Sequence, residues 1–254
     1  MEVVFIGSGN VATHMARAFK GAGHHVLQIW SATFRHAAAL ADDVDAEPIE
    51  TLHEISVEAD LIVISVKDDA IADIVAQLVN SSAVIVHTSG ATPLDALASL
   101  KHYGVLYPLQ TFSKDKALDF SQVPLCIEAG DLNSFEVIEG LAKSLSKAVY
   151  GIDTSKRKVL HLAAAFACNF VNQLYNLGND LLATNQLGFD LLRPLILETA
   201  EKVQQLLPAE AQTGPAVRRD EKTLRSHLEL LQGQPELTHI YQTLSDSIKK
   251  SHQY

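Results

Sequence analysis

Near the start of the chain, FIGSGNVATHMA sets Gly7, Gly9 and Ala12 at GxGxxA spacing. That spacing suits one chemistry above others, the binding of a dinucleotide pyrophosphate. The first glycine allows a tight turn, the second lets a phosphate approach the backbone, and the alanine lets a strand and a helix pack closely. The backbone of Gly7, Ser8, Gly9, Asn10 and Val11 would meet the phosphates at the positive end of a helix. Without a ligand the same residues would be an ordinary glycine turn. The β-branched run VVFI before them and the helical pattern after them supply the context the motif requires.

A site for NAD usually carries an acid about 20 residues further on, bonded to the ribose 2′-hydroxyl. Here that position reads IWSATFR, and residues 3–41 contain no Asp or Glu, although 30 of the 254 residues are acidic. Ser31 and Arg35 suit a 2′-phosphate better than a bare ribose. The expected cofactor is therefore NADP(H). The alternative for Arg35 is an exposed cation in the first turn of a helix.

Ligands of an open α/β sheet bind at the carboxyl ends of its strands. Those ends carry Lys67, then Thr88, Ser89 and Gly90, then Gln110. Lys67 is a candidate phosphate contact, Thr88–Gly90 line the nicotinamide side, and Gln110 is a candidate substrate contact. Helix capping is the competing account of the polar residues beside them, Asp68, Asp69 and Thr92.

Further along, His161, Asn169, Asn172 and Asn176 interrupt an otherwise apolar helical run. At about 100° per residue His161 and Asn172 nearly eclipse, and the other two fall within roughly 80°. Such a stripe needs partners, either a substrate or another helix. His161 and Asn169 are the candidate catalytic pair, His161 as a general acid, with Asn172 on the substrate. In TGPAVRRD, Thr213–Pro215 reads as a fixed turn and Asp220 as the cap of the next helix. Arg218 then offers a guanidinium to a carboxylate or phosphate, unless it merely balances the acidic surface.

The elements that would hold these groups fall into two parts. Up to residue 153, runs such as VVFI, HVLQI, LIVISV, AVIVH, GVLY, LCIE and AVYGI alternate with helical stretches, including one at DAIADIVAQLV. This predicts βαβ units and a parallel sheet of Rossmann type over 1–153. Strand signals then stop. A helix over 155–185 and three more near 190–206, 221–232 and 236–249 predict an all-α domain over 154–254. The long helix is apolar on most faces and needs cover on every side, so a homodimer through the helical domain is expected.

A net charge of −10 and a pI near 5.5 exclude a generally basic nucleic-acid surface. The apolar runs fall short of the roughly 20 residues that cross a bilayer. Two cysteines and no HExxH spacing leave no metal site to expect. The expectation is a soluble cytoplasmic protein.

Taken together, GSGNVA, HTSGA, YPLQTFSK, HLAAAFACNF and TGPAVRRD resemble the family of Rossmann-like and DUF2520 domain-containing proteins. The resemblance spans nearly the whole chain. More distantly the layout is similar to pyrroline-5-carboxylate reductases and to the 6-phosphogluconate and β-hydroxyacid dehydrogenases. It implies NADP binding through Gly7–Ala12 and a site between the domains. It supplies no reaction. The β-hydroxyacid dehydrogenases carry a Lys one turn before an Asn on this helix, whereas Ala165 precedes Asn169 here. The expected function is NADP-dependent hydride transfer to or from a small, carboxylate-bearing carbonyl or imine. A non-catalytic NADP(H)-binding sensor or partner protein is the rival.

Overall fold

A computed structural model describes residues 1–252. The chain divides into two compact units, Met1–Asn169 and a second that begins at Phe170.

The first unit is an eight-stranded sheet with helices on its faces. Its strands are β1 (Glu2–Ile6), β2 (His25–Trp30), β3 (Glu47–Ile49), β4 (Leu61–Ile64), β5 (Val84–His87), β6 (Tyr103–Pro108), β7 (Leu125–Ala129) and β8 (Val149–Gly151). Their order is β3-β2-β1-β4-β5-β6-β7-β8. The helices of this unit are α1 (Asn10–Gly21), α2 (Phe34–Val44), α3 (Ile71–Val75), α4 (Leu132–Leu145) and α5 (Thr154–Ala164).

Burial on both faces explains the continuous apolar strands. In β1, Val3 and Phe5 join one core with Met15 and Phe19 of α1, while Val4 and Ile6 join a second with Ile71 and Val75 of α3. In β4, Leu61 and Val63 divide from Ile62 and Ile64 in the same way.

The expected parallel sheet needs one correction, because β7 runs antiparallel to β6. The residues between them form loop and a single 3₁₀ turn, Phe120–Gln122, in place of a crossover helix, so the chain returns alongside itself. The helix α4 then restores a parallel crossover to β8. Two elements also differ locally. The edge strand β3 is only three residues long and includes Pro48, which an edge tolerates. The helix expected over DAIADIVAQLV is a 3₁₀ turn, Asp68–Ala70, followed by five α-helical residues. Gln77 and Leu78 then donate to Ile74 and Val75, three residues back, which ends the α-helical ladder.

From Thr154 to Thr184 the backbone is helical throughout: α5, a π-helical turn (Ala165–Phe170) and α6 (Val171–Thr184). The division between the units falls within this run. The second unit continues with α7 (Arg193–Gln205), the short α8 (Pro208–Ala211), α9 (Glu221–Leu230) and α10 (Pro235–Ser251). Six of its leucines, Leu187, Leu191, Leu195, Leu197, Leu207 and Leu230, are each at least half exposed. Gly214 takes φ +115 and Arg219 takes φ +53 in the loop before α9. Asp220 caps that helix, accepting from the Thr223 backbone N–H at 3.1 Å and its hydroxyl at 2.8 Å.

The two motif glycines have different physical roles. Gly7 takes φ +123, and a Cβ there would lie 2.0 Å from the Ser65 carbonyl oxygen. Gly9 has ordinary extended backbone, φ −73, and open space where a Cβ would stand. Gly7→Ala is expected to lower the melting temperature by roughly 5–10 °C, whereas Gly9→Ala stays within about 2 °C of wild type. Thermal denaturation of the two variants checks this, and equal melting temperatures would remove the steric argument.

Candidate active site

The carboxyl ends of β1, β2, β4, β5 and β6 open onto one cleft of about 1330 Å³. It is larger than most small-molecule pockets and has room for a dinucleotide. Every residue that lines it belongs to the first unit.

At the phosphate end the strand–turn–helix is built as the spacing predicts. The Gly7 N–H donates to the Trp30 carbonyl at 2.8 Å, which ties the turn to β2. Gly9 stands at the N-cap of α1 and has no side chain to cap it, so the first N–H groups of the helix are left for a ligand. The first turn carries no acidic residue to repel an anion. The Ser8 hydroxyl donates to Ser31 Oγ at 2.9 Å, which joins the glycine turn to the end of β2. Asn10 lines the cleft, but its amide donates to the Phe112 carbonyl at 2.8 Å and so holds the loop after β6. A ring nitrogen of His14 meets the Ser113 carbonyl at 2.9 Å, one turn along the same face.

At the end of β2, Ser31 and Thr33 line the cleft together with His36. Arg35 is exposed on α2 and is not among the lining residues. Its neighbour His36, in the same first turn of α2, lines the cleft. Thr33 is the N-cap of α2 and makes no side-chain capping bond, and the first turn of α2 also lacks acids.

Lys67 lines the cleft after β4. Thr88, Ser89 and Gly90 line it after β5, and Gln110 after β6. Several of these side chains are engaged in the fold. Thr88 donates to Ser65 Oγ at 3.1 Å. Ser89 Oγ accepts from the N–H groups of Ala91 and Thr92 at 3.1 and 2.9 Å, closing the HTSGAT turn. Gln110 Oε1 accepts from the Thr111 N–H at 2.8 Å.

The deepest convergence is around Gly90. His161, on α5, lines the cleft, and its Nδ1 is hydrogen-bonded to the Tyr107 hydroxyl at 3.0 Å. The two rings meet edge-on, 5.9 Å apart. A Cβ on Gly90 would lie 2.6 Å from His161 Nδ1 and 2.9 Å from Tyr107 Cζ, so only glycine lets the pair close. Burial pushes the Tyr107 phenol up to about 12, with a smaller contribution from Cys126, its neighbour on β7. Tyr107 was not among the residues singled out from sequence. Its signal was its position at the polar end of a strand, in the same YPLQ run as Gln110.

A buried charge cluster positions His161. Arg157, one turn earlier on α5, is fully buried and ion-paired with Glu128 of β7. It also donates to the Thr92 carbonyl at 2.6 Å. Glu128 accepts from the backbone N–H and hydroxyl of Thr154, each at 2.8 Å. In the sequence Arg157 sits inside SKRK and reads as part of a solvated basic face.

Asn169 is exposed on the π-helical turn. Asn172, on α6, and Arg218, before α9, are exposed residues of the second unit. Asn176 donates to Asp180 at 3.3 Å. A π turn falls between His161 and Asn172. The 100° step holds only for an uninterrupted α-helix. Among the described residues, no three His, Cys, Asp or Glu side chains cluster as metal ligands, and no helix is long and apolar enough to cross a membrane.

This combination of a dinucleotide-type cleft and a helical second unit defines a two-part α/β protein. The Rossmann-like domain family matches residues 1–112, and the domain of unknown function DUF2520 matches residues 123–248. The chain belongs to the family that joins these two domains. It is similar over 98% of its length, and 98% of the other chain, to a Bacteroides fragilis protein named for a proposed NADP oxidoreductase activity, at 42% identity and a TM-score of 0.93. At 13% identity it shares its fold with the 1-pyrroline-5-carboxylate reductase of Streptococcus pyogenes, covering 98% of each chain with a TM-score of 0.66. At 17% identity it shares its fold with an imine reductase of Myxococcus stipitatus in complex with NADP+, covering 98% of this chain and 92% of that one with a TM-score of 0.61. No curated protein matches the chain.

One buried group beside the cleft makes stability depend on pH. His87, at the end of β5, is fully buried, and its Nδ1 accepts from the Ser89 N–H at 3.2 Å. Burial, and then the Arg157 guanidinium, push its imidazole down from 6.5 to about 4. The unfolded chain takes up this proton well before the folded one does. Stability from this group is therefore complete above pH 6.5 and is lost as the pH falls toward 4, by about 3 kcal/mol in all. Urea unfolding across that range should show the slope in the wild type and a shallower one in His87→Gln. Parallel slopes would assign the acid sensitivity to other groups.

Proposed function

We propose that the protein is an NADP-dependent oxidoreductase acting on a small carbonyl or imine that carries a carboxylate. The observation that carries this reading is a single cleft with an open, uncapped glycine turn at one end and the Tyr107–His161 pair at the other. The residues fit a dinucleotide phosphate: a Cβ at Gly9 would stand in open space, and the α1 N-terminus has no side-chain cap and no acid in its first turn. The similarity to the Bacteroides fragilis protein supports the same cofactor.

In this reading Gly7–Val11 hold the pyrophosphate. Ser31, Thr33, Arg35 and His36, at the start of α2, would hold the 2′-phosphate. Thr88–Gly90 lie along the nicotinamide. When bound, the dinucleotide supplies or accepts a hydride at its nicotinamide ring. The chain's own part is to fix the ring against the strand ends, to keep the reacting atoms away from bulk water and to provide a proton. His161 takes part in that protonation. Gln110, Asn172 and Arg218 are the proposed substrate contacts, with Asn169 as a further polar group near the reaction. Lys67 is the single Lys or Arg that lines the cleft among the described residues, and it is the proposed partner of a phosphate.

The exposed leucines of the second unit support a homodimer through that unit, with a second copy covering them. Sedimentation should give about twice the mass of one chain. A monomer at micromolar concentration would remove that part of the reading. The protein is proposed to act in the cytoplasm.

Fluorescence titration with NADPH and NADH tests the cofactor. NADPH is expected to bind at least tenfold more tightly. Arg35→Ala should reduce that preference, as should His36→Ala, and an unaltered preference in Arg35→Ala would take Arg35 out of the 2′-phosphate site. Binding of neither nucleotide would leave the cleft as scaffold and favour a partner-binding role. His161→Ala should lower turnover at least 100-fold while NADPH affinity stays within about twofold. Unchanged turnover would take His161 out of the mechanism.

A further inference from the structure

The reductase reading leaves open which atom delivers the proton. Five side chains at the inner end of the cleft carry a transferable proton: Ser65 and Thr88, which are hydrogen-bonded to each other, and Ser89, Tyr107 and His161. The Thr88 proton is already given to Ser65 Oγ. Ser89 Oγ is fixed by two backbone N–H groups of its own turn. His161 is exposed, whereas Tyr107 is 8% exposed and lies at the end of a central strand. A buried donor meets the reacting atoms without competition from water, and an exposed partner can refill from solvent. The two are joined by the 3.0 Å hydrogen bond, and Gly90 packs against both rings.

We propose that the Tyr107 hydroxyl is the group that gives a proton to the nitrogen or oxygen of the reacting double bond, with His161 acting through it as its proton source. The proposal rests on the reductase reading. The carbon of the C=N or C=O bond takes up hydride from the bound dinucleotide, which is oxidised to NADP+ as the substrate is reduced. The Tyr107 O–H bond breaks as the new N–H or O–H bond forms. The Nδ1 proton of a protonated His161 passes to the phenolic oxygen, and a hydronium ion from solvent reprotonates the imidazole, so that one solvent proton is consumed per turnover. A phenol held near 12 remains protonated throughout the physiological range, so it is a donor and not a base. It is a weak acid unaided. An imidazolium N–H on its oxygen offsets the charge that develops there as the proton leaves.

Three measurements on the full chain test this. In ¹⁵N-histidine-labelled protein without cofactor, Tyr107→Phe should shift the ring nitrogens of His161, assigned with His161→Gln, and leave the other histidines in place. Unchanged His161 shifts would overturn the pairing. In the NADP+ complex, 2-pyrrolidinone, whose carbonyl accepts a hydrogen bond but is not reduced, should bind about tenfold more weakly to Tyr107→Phe. Equal affinity would overturn contact between Tyr107 and the reacting group. With NADPH and 2-methyl-1-pyrroline, Tyr107→Phe should lose about as much kcat as His161→Ala, and the double variant should lose no more than either. Losses that multiply, or a Tyr107→Phe rate within threefold of wild type, would overturn the relay. Failure of wild type to bind NADPH would instead overturn the reductase reading, while the ring shifts would still decide the hydrogen bond.

Discussion

A guanidinium with no exposure to solvent is the constraint around which the inner end of the cleft is assembled. Arg157 gathers three parts of the chain at once: Glu128 from β7, the Thr92 carbonyl from the loop after β5, and Thr154 from its own helix. Removing one partner from a buried pair costs about 3–5 kcal/mol, because the remaining charge cannot return to water. The cluster is therefore close to all-or-none. The loop after β5 cannot leave without stripping the guanidinium of an acceptor, and α5 cannot leave without withdrawing it altogether. His161 lies one turn beyond Arg157, and Gly90 lies two residues before Thr92. The same cluster thus fixes both the helix that carries His161 and the turn on which it packs.

The other end of the cleft is built by omission. Gly7 is needed because a side chain would strike Ser65, and Gly9 is useful because a side chain would fill space that a phosphate can occupy. The first turns of α1 and α2 both lack acids, and neither N-cap residue bonds to its own helix. Two helix N-termini without side-chain caps face the one cleft, which Lys67 and three acids, Glu50, Asp68 and Asp73, also line. The polar side chains in the motif mostly serve the scaffold. Ser8 bonds to Ser31, and Asn10 bonds to Phe112. In the proposed reading the backbone of this segment does the recognition.

What could be read from the sequence follows from this division. Short-range rules located the glycine turn, seven of the strands and the main helices of the second unit, because apolar periodicity and chain breakers are local properties. The direction of β7 was not local; it depended on the chain returning without a helix between Leu109 and Pro124. The edge strand β3 was hidden by Pro48, which carries no strand signal. Arg35 and His36 differ by one step on a helix, or about 100°, and only the docking of α2 decides which of them faces the cleft. Arg157 was invisible for a different reason. A basic residue within SKRK reads as solvated unless its acidic partner, 29 residues earlier on another strand, is already known.

The π turn at Ala165–Phe170 limits how far reasoning along one helix can go. His161 and Asn172 nearly eclipse on a uniform helix, but a wider turn between them breaks that phase. The residues before and after the turn also differ in what holds them. The first turn of α5 is anchored by charge and hydrogen bonds to β7. Beyond the turn, α6 and α7 present Leu174, Leu195 and Leu197 to solvent. Under the proposed dimer, these apolar residues would be covered by the partner, while His161 keeps the position set by Arg157.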